Sequence, residues 1–126
     1  MQAVILEPTR ELAIQTQAQI EKFSSIRSVC VYGGASSASE QSKDLFLTCT
    51  VFDIRKKKPQ VIVATPGRLI DLCQNFNFDI SECRYQILDE GDKMLDMGFD
   101  KDISALQNEM PEVQTMVFSA TVPKYI

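Results

Sequence analysis

Short apolar runs rich in β-branched residues recur along the chain, and segments with helical spacing separate them. We expect each run to form a buried strand. The runs are Ala3–Leu6, Val29–Tyr32, Val61–Ala64, Tyr85–Leu88 and Thr115–Phe118. The clearest helix is predicted for Glu11–Phe23, where apolar side chains return every three or four residues. This alternation predicts an α/β fold, with a parallel sheet, right-handed crossovers and helices on both faces.

The strand-to-helix turns of such a sheet share one edge. Parallel strands all point the same way, and open α/β proteins bind their ligands beyond the carboxyl ends of the strands. We call this side of the sheet the ligand edge. Five motifs fall on it: EPTREL (7–12), YGGAS (32–36), ATPGRL (64–69), LDEGD (88–92) and FSATVP (118–123). The basic run at 55–58 precedes a strand, so we expect it at the opposite edge, as a solvated loop rather than a nucleic-acid contact.

The TPGR segment has the residues of an anion site. Thr65 suits a helix N-cap and Pro66 suits the first helical position, which leaves amide groups free at a positive helix end with Arg68 beside them. Asp71 lies one turn further on, where a carboxylate near phosphates needs a hydrogen-bond donor. An RNA 2′-hydroxyl is such a donor, and DNA lacks it. An aspartate in a first helical turn is also explained by the helix dipole alone.

Two other motifs on the ligand edge suit anions as well. In PTRE, Thr9 is the expected N-cap and Arg10 the cation at the start of the helix. The pair at 33–34, Gly-Gly, would let the backbone approach a ligand closely. Each motif alone is explained more readily by a capped helix or a tight turn than by an anion site. Three of them on one edge favour a polyanion backbone over a single phosphate.

The stretch ILDEGD places acidic residues directly after an apolar strand. An apolar strand that ends in Asp-Glu, here Asp89 and Glu90, is the Walker B arrangement. In that arrangement the aspartate holds Mg²⁺ and the glutamate orients or deprotonates the attacking water. The cation would then be magnesium carried by a nucleotide. The alternative is that these carboxylates only cap the helix that follows.

Composition narrows the class of protein. The length of 126 residues suits one domain, and 44% hydrophobic against 24% charged residues is typical of a soluble globular protein. No apolar run has the length of a membrane span and no secretory signal is visible, so we expect no membrane contact and a cytoplasmic or nuclear setting. The formal charge of −4 means that phosphate binding has to be local. Four widely spaced cysteines without any histidine indicate reduced thiols rather than a zinc site.

Five motifs, in order, resemble those of one enzyme family. PTRELAIQ, GG, TPGR, DEGD with the following KMLDMGF, and SAT resemble the motifs of the first RecA-like domain of DEAD-box ATP-dependent RNA helicases. The resemblance runs from Ala3 to about Ile126, essentially the whole chain. It implies a RecA-like fold of the P-loop NTPase class. It also implies an enzyme that binds single-stranded RNA without sequence preference and separates short duplexes as two domains close over ATP.

The resemblance also implies roles for individual residues. Asp89 matches the position that holds magnesium, through water or the nucleotide, and Glu90 matches the position of the catalytic water. Asp92 matches the residue that bonds to the Ser119-Ala120-Thr121 motif and links ATP hydrolysis to unwinding. The matches to positions that hold the RNA sugar-phosphate backbone are Pro8, Thr9, Arg10, Gly34, Thr65, Gly67, Arg68 and Asp71.

Several features depart from the family pattern. Gly91 stands where alanine is usual, and the stretch at 49–59 looks longer than usual. The sequence contains no G-x-x-x-x-G-K-[ST] phosphate loop (Walker A), no glutamine-containing adenine segment (Q motif) and no second RecA-like domain. We therefore expect an incomplete first domain of a helicase, inactive as an ATPase by itself. Its uncovered apolar edge beside Thr115–Phe118 would invite self-association. Two alternatives are a naturally short, non-catalytic RNA- or partner-binding module and an unrelated α/β domain with chance motifs.

Overall fold

The five predicted strands form one parallel sheet, and helices join them in alternating order. The computed structural model describes residues 1–23, 25–32 and 54–121. The strands are β1 (Ala3–Leu6), β2 (Ser28–Val31), β3 (Val61–Ala64), β4 (Tyr85–Asp89) and β5 (Gln114–Phe118). The helices with defined bounds are α1 (Arg10–Glu21), α2 (Pro66–Asn75), α3 (Gly91–Asp96) and α4 (Asp100–Glu109). A further helical turn covers residues 54–57. The predicted α/β fold is confirmed.

The strand order is β2-β3-β1-β4-β5, with parallel pairing throughout, so β1 lies between β3 and β4. From β1 the chain crosses towards β2, whereas from β3 it crosses the opposite way towards β4. Because crossovers between parallel strands are right-handed, opposite directions put α1 and α2 on opposite faces of the sheet. The turns after β1 and β3 therefore flank a topological switch point, the place where open α/β sheets bind ligands.

The strand bounds agree with the sequence pattern to within one residue. β1 and β3 have the predicted bounds, β2 lies one residue earlier, and β4 and β5 each gain one residue. The helix predicted for Glu11–Phe23 begins one residue earlier and ends two residues earlier. Phe23, the last residue of the predicted helix, therefore lies outside it and is 64% exposed.

One face of the sheet carries most of the core. Paired residues of neighbouring strands point to the same face, and Leu6 of β1 pairs with Ala64 of β3 and Leu88 of β4. These side chains belong to a single buried cluster that also contains Leu69 of α2 and Leu106 of α4. α2 packs against α4, while α1 contacts β2 and β3. Within the described residues, no helix has the length and apolar character that crossing a bilayer requires.

β5 forms the edge of the sheet in the part of the chain that the structure describes. It pairs with β4 alone, and its residues are exposed or half-buried. Val117 and Phe118 are 37% and 57% exposed, which is unusual for apolar side chains in a parallel sheet. The predicted apolar edge is thus present, although what lies beside it in a longer protein stays a prediction. Gly34, the rest of the YGGAS motif after Tyr32, and residues 49–53 lie outside the described residues.

Candidate functional site

The turn after β1 begins α1 in the way that the sequence predicts. Thr9 is the N-cap, in extended conformation, and its Oγ1 accepts a 3.3 Å hydrogen bond from the Leu12 amide. Pro8 is buried, whereas Arg10 is exposed at the positive end of the helix. The Arg10 guanidinium lies over the Tyr32 ring, 5.4 Å from its centroid. This cation–π contact orients a positive charge on the ligand edge.

The turn after β3 begins α2 with Thr65 as N-cap and Pro66 in the first turn. The Thr65 side chain, unlike that of Thr9, makes no capping hydrogen bond with the helix amides of this described segment. Gly67 is half-buried, and a Cβ there would meet the Asp102 carboxylate at 3.6 Å and the Phe99 ring at 4.0 Å, ordinary contact distances. Alanine would therefore fit at Gly67 in this structure, so packing alone does not require glycine there.

Arg68 supplies a positive charge at this helix start. Its side chain is only 12% exposed, and its Nη1 atom lies 3.7 Å from Asp71 Oδ2. Arg68 Nη1 is buried and has no hydrogen-bond partner within the described residues. Asp71 in turn accepts a 2.6 Å hydrogen bond from Asn75 Nδ2. Since Asp71 is held from both sides, it fixes the guanidinium and still keeps acceptor capacity, because a carboxylate can accept about four hydrogen bonds.

The acidic pair follows β4 directly. Asp89, the last residue of β4, is half-buried, and Glu90 precedes the first residue of α3. Glu90 has φ 54° and ψ 50°, the left-handed conformation that a residue with a side chain rarely adopts. Such backbone costs about 1–3 kcal/mol and is concentrated at functional sites. Its Oε2 is buried and lies 3.3 Å from Lys93 Nζ, an ion pair without hydrogen-bond geometry.

Glu7 is a residue of the site that the sequence analysis missed. It is the first residue after β1, and its side chain is fully buried. Oε1 accepts a 2.6 Å hydrogen bond from the Thr16 hydroxyl, whereas Oε2 has no donor among the described residues. Burial, the hydrogen bond shared with Asp89 and the negative charges of Asp89 and Glu90 raise the pKa of Glu7 to about 8. We assign the shared proton to Glu7, because Asp89 is the more exposed of the two.

Nothing in the local sequence indicates that Glu7 is buried. Glu7 lies in the quoted motif EPTREL, but a glutamate after a strand is usually exposed. Its burial depends on the order of the strands, which places β1 beside β4 and which the alternation of elements does not give. Two carboxyl groups from neighbouring parallel strands that end at the same edge must meet. Glu7 at the end of β1 and Asp89 at the end of β4 satisfy that condition.

A hydrogen-bonded bridge joins α3 to the segment after β5. The Asp92 amide donates to Ser119 Oγ at 3.1 Å, and the Thr121 hydroxyl donates to Asp92 Oδ2 at 3.2 Å. The Ser119 hydroxyl donates to the Thr121 carbonyl. Desolvation opposes ionisation of Asp92, but hydrogen bonds with Ser119, the Lys93 amide and Thr121 outweigh it and lower its pKa. The structure thus brings together the three residues that the resemblance groups as the coupling set.

The carboxylates present suit a magnesium ion that arrives with phosphates. No cluster of three or more acidic, cysteine or histidine side chains within the described residues could hold a metal by itself. Mg²⁺ typically binds proteins through one or two carboxylates, with water and substrate phosphates as its other ligands. Asp89 at the end of β4, with the buried Oε2 of Glu90 beside it, fits that limited role.

Comparison with known proteins supports the motif matches. The family model of the DEAD/DEAH box helicases matches residues 1–126. The probable ATP-dependent RNA helicase ddx17 of Dictyostelium discoideum is 40% identical over 127 residues, 98% of this chain and 15% of that protein. The ATP-dependent RNA helicase DBP2 of Pyricularia oryzae is 42% identical, with 98% of this chain and 21% of that protein covered.

A solved structure shows the same likeness. The crystal structure of the yeast DEAD-box splicing factor Prp28 matches with a TM-score of 0.79 and 28% identity, over 98% of this chain and 28% of that chain. The chain spans about a quarter or less of the length of these relatives, from 15% for ddx17 to 28% for Prp28.

The raised pKa of Glu7 predicts a pH dependence of stability. Glutamate has an ordinary pKa of 4.5, so the folded state binds one proton more than the unfolded state between pH 4.5 and about 8. Stability should therefore fall as pH rises through this range. The glutamine of Glu7→Gln cannot ionise. As pH rises through this range, the free energy of unfolding of the variant should therefore increase relative to that of the wild type by up to about 1.4 kcal/mol per pH unit. Urea unfolding at pH 5, 6, 7 and 8 measures the difference.

The matched control is Glu21→Gln, which removes one carboxylate from the exposed end of α1. This control separates the effect of burial from that of net charge. Parallel stability curves for wild type and Glu7→Gln across the four pH values would show that Glu7 ionises normally in the folded protein.

Proposed function

The chain belongs to the DEAD/DEAH box helicase family. We therefore propose that the protein that contains it is an ATP-dependent RNA helicase. In this proposal the chain supplies the RNA-backbone surface and the Walker B carboxylates of the first RecA-like domain. The observation that carries the proposal is the shared ligand edge. Two cationic helix starts follow β1 and β3, and the acidic pair follows β4, the other neighbour of β1.

The RNA surface is formed by Thr9 and Arg10, with the buried Pro8 before them in the turn, on one side of the switch point and by Thr65, Gly67, Arg68 and Asp71 on the other. Arg10 and Arg68 bring positive charge, and each lies at the amino end of a helix. Amide groups and cations bind phosphates in any base sequence, so the surface holds the strand without reading its bases. Gly34 completes the set that the resemblance implies, outside the described residues.

The acceptor capacity of Asp71 supports RNA rather than DNA as the ligand. A free carboxylate beside phosphates is repulsive, but here Arg68 and Asn75 already hold this group in place. A 2′-hydroxyl can then donate to a remaining lone pair, and a deoxyribose has no such donor.

On the other side of β1, the carboxylates serve hydrolysis. Asp89 would hold Mg²⁺ through water or the nucleotide, and the ion would neutralise the charge that develops on the ATP phosphates. Glu90 orients and deprotonates the attacking water, and its left-handed backbone fixes the direction of the side chain. Lys93 Nζ forms an ion pair with Glu90 Oε2 at 3.3 Å, next to the position proposed for this water. The bridge from Asp92 to Ser119 and Thr121 links this region to the edge strand β5.

The second candidate is a non-catalytic module that binds RNA or a protein partner. One observation favours it: both cationic helix starts lie complete within this chain. Binding of RNA is therefore the expected behaviour of the chain by itself. Self-association through the exposed β5 edge also belongs to this proposal, since unpaired edge strands recruit other chains.

Replacing Arg68 by alanine tests the RNA surface. Binding of a fluorescent single-stranded RNA should weaken by about 1–3 kcal/mol, the range for a charge-assisted phosphate contact. The loss should be equal for oligouridylate and oligoadenylate, and the salt dependence of binding should become shallower. Lys56→Ala, which removes an exposed positive charge from the opposite edge, is the control and should have little effect. A loss confined to one base sequence would contradict contact with the backbone.

Replacing Glu90 by glutamine tests the catalytic assignment. In a protein that contains this chain together with a phosphate loop and a second RecA-like domain, Glu90→Gln should bind ATP and RNA normally. Hydrolysis should be lost, because an amide keeps the shape of the side chain but cannot accept the proton. Phosphate release measured at saturating ATP and RNA gives the answer. Turnover near that of the wild type would show that Glu90 is not the base that deprotonates the attacking water.

The 126-residue chain by itself should show neither ATPase activity nor saturable binding of Mg-ATP at physiological concentrations. In P-loop enzymes the backbone amides and lysine of the phosphate loop supply most of the contacts that hold the nucleotide phosphates. No such motif occurs in this sequence. Titration calorimetry with Mg-ATP, with sedimentation to record the association state, makes the measurement. Micromolar affinity in a monomeric sample would show that Asp89 and Glu90 suffice without the loop.

A further inference from the structure

The edge of the sheet opposite the ligand edge carries a cavity that the proposed function does not use. It lies where β2 and β3 begin and has a volume of about 580 Å³. The residues that line it include Arg27, Ile54, Arg55, Lys58, Phe78 and Ile80. The three apolar side chains of this set are buried, whereas the three cations are exposed. The cavity thus combines apolar walls with a cationic rim.

Both arginines of this rim are held by backbone carbonyl groups. Arg27 Nε donates to the Lys58 carbonyl at 3.1 Å, and Arg55 Nη2 donates to the Asn77 carbonyl at 2.9 Å. The backbone of Arg27 is fixed as well, because its amide donates to Gln60 Oε1 at 2.9 Å. A guanidinium group has five N–H donors, so each arginine keeps most of its donors for a ligand.

The positive charge of this edge is not neutralised by ion pairs within the described residues. Arg27 and the basic run at 55–58 supply five of the 13 lysines and arginines of the chain. None of these five forms an ion pair with a described carboxylate. Asp79 and Glu82 also line the cavity, but the three lining cations outnumber them. A chain of net charge −4 therefore has a local excess of positive charge here.

An acidic peptide fits this cavity better than RNA does. Arginine binds a carboxylate through two parallel hydrogen bonds, which matches the donors that remain free. Sites for single-stranded nucleic acid combine cations with exposed aromatic rings on which bases stack. Phe78, an aromatic residue of the lining, is only 4% exposed. The carboxylates of Asp79 and Glu82 would repel a continuous phosphate chain, whereas a peptide can place neutral or basic residues beside them.

We propose that this cavity is a docking site for an acidic segment of a partner protein. Carboxylates of the segment pair with Arg27 and Arg55, and an adjacent apolar side chain enters the cavity beside Ile54 and Phe78. The volume of about 580 Å³ is sufficient, since pockets of about 300–1,000 Å³ hold whole small molecules. The docking site does not depend on RNA binding or ATP hydrolysis, because both are proposed for the ligand edge.

Titration of the 126-residue chain with an acidic peptide tests the docking site. The probe is a fluorescein-labelled decapeptide with a central pair of leucines and glutamates on both sides. Fluorescence anisotropy should show saturable binding that weakens as salt is added. The same peptide with lysines in place of the glutamates should not bind. Alanines in place of the leucines should weaken binding about tenfold, because less apolar surface is buried.

Substitutions at the rim separate a defined site from general attraction between charges. Arg27→Ala and Arg55→Ala should each weaken peptide binding about tenfold, as expected when a charge-assisted hydrogen bond is lost. Arg55→Lys keeps the charge but loses the paired donors, so it should weaken binding as well. The matched control is Lys56→Ala, which removes an exposed charge of the same run outside the cavity lining. It should change the affinity less than about twofold.

Backbone amide resonances of the wild-type chain locate the peptide without any substitution, so the test stands even if a variant does not fold. The largest shifts are expected at Arg27, Arg55 and residues 78–80, with little change at Arg10 and Arg68. Shifts centred on Arg10 and Arg68 would overturn the proposal. So would the absence of saturable binding at millimolar peptide concentration.

Three further outcomes would also overturn the proposal. An equal loss of affinity in Lys56→Ala would show attraction to the whole basic run rather than a site. Displacement of the peptide by oligouridylate of similar charge would make this edge a nucleic-acid contact. Loss of self-association in Arg55→Ala, measured by sedimentation, would identify a second copy of the chain as the occupant. All these measurements are made without ATP, so they do not depend on whether the protein is a helicase.

Discussion

The parallel pairing of β1 with β3 on one side and β4 on the other is the constraint on which the site depends. It brings the carboxyl ends of all three strands to one edge, so residues far apart in sequence become neighbours. The turn after β1 then lies between a cationic turn and an acidic one. Crossovers that leave β1 and β3 in opposite directions put α1 and α2 on opposite faces of the sheet, with both helix starts at this edge. A different strand order would separate the two kinds of charge.

The ligand edge is electrostatically divided. Arg10 and Arg68 lie at the positive ends of α1 and α2, whereas Asp89 and Glu90 follow β4. In the proposed function, this separation would let a chain of net charge −4 attract a polyanion locally and hold a divalent cation beside it. Glu7 limits the negative charge on the acidic side, because a protonated carboxyl bonds to Asp89 instead of repelling it. The proposed enzyme thus needs both halves of the edge but different chemistry in each.

Local patterns predicted much of this arrangement. Apolar runs gave the strands to within one residue, and the Thr9 cap follows from a threonine ahead of a helical segment. The bond between Asp92 and the segment at 119–121 was implied by family resemblance, and the structure contains it. Each of these depends on neighbours in sequence or on a motif. The end of α1 was missed, because nothing between Glu21 and Phe23 breaks the helical pattern.

Features that depend on contacts between distant segments were not predictable. The burial of Glu7 results from β1 lying beside β4, and the stacking of Arg10 on Tyr32 results from the position of α1 over β2. The basic run at 55–58 was visible in the sequence, but the cavity that it shares with Arg27 is visible only in three dimensions.

The most direct test of the account is to map where single-stranded RNA binds, by following the backbone amide resonances of the chain during titration with a short RNA of mixed sequence. We expect the largest shifts at residues 9–12, at Thr65 and at residues 67–71, with little change at the basic run 55–58 on the opposite edge. The same titration with DNA of that sequence should show weaker shifts around Asp71. Shifts centred on residues 55–58, or equal shifts with RNA and DNA, would contradict it.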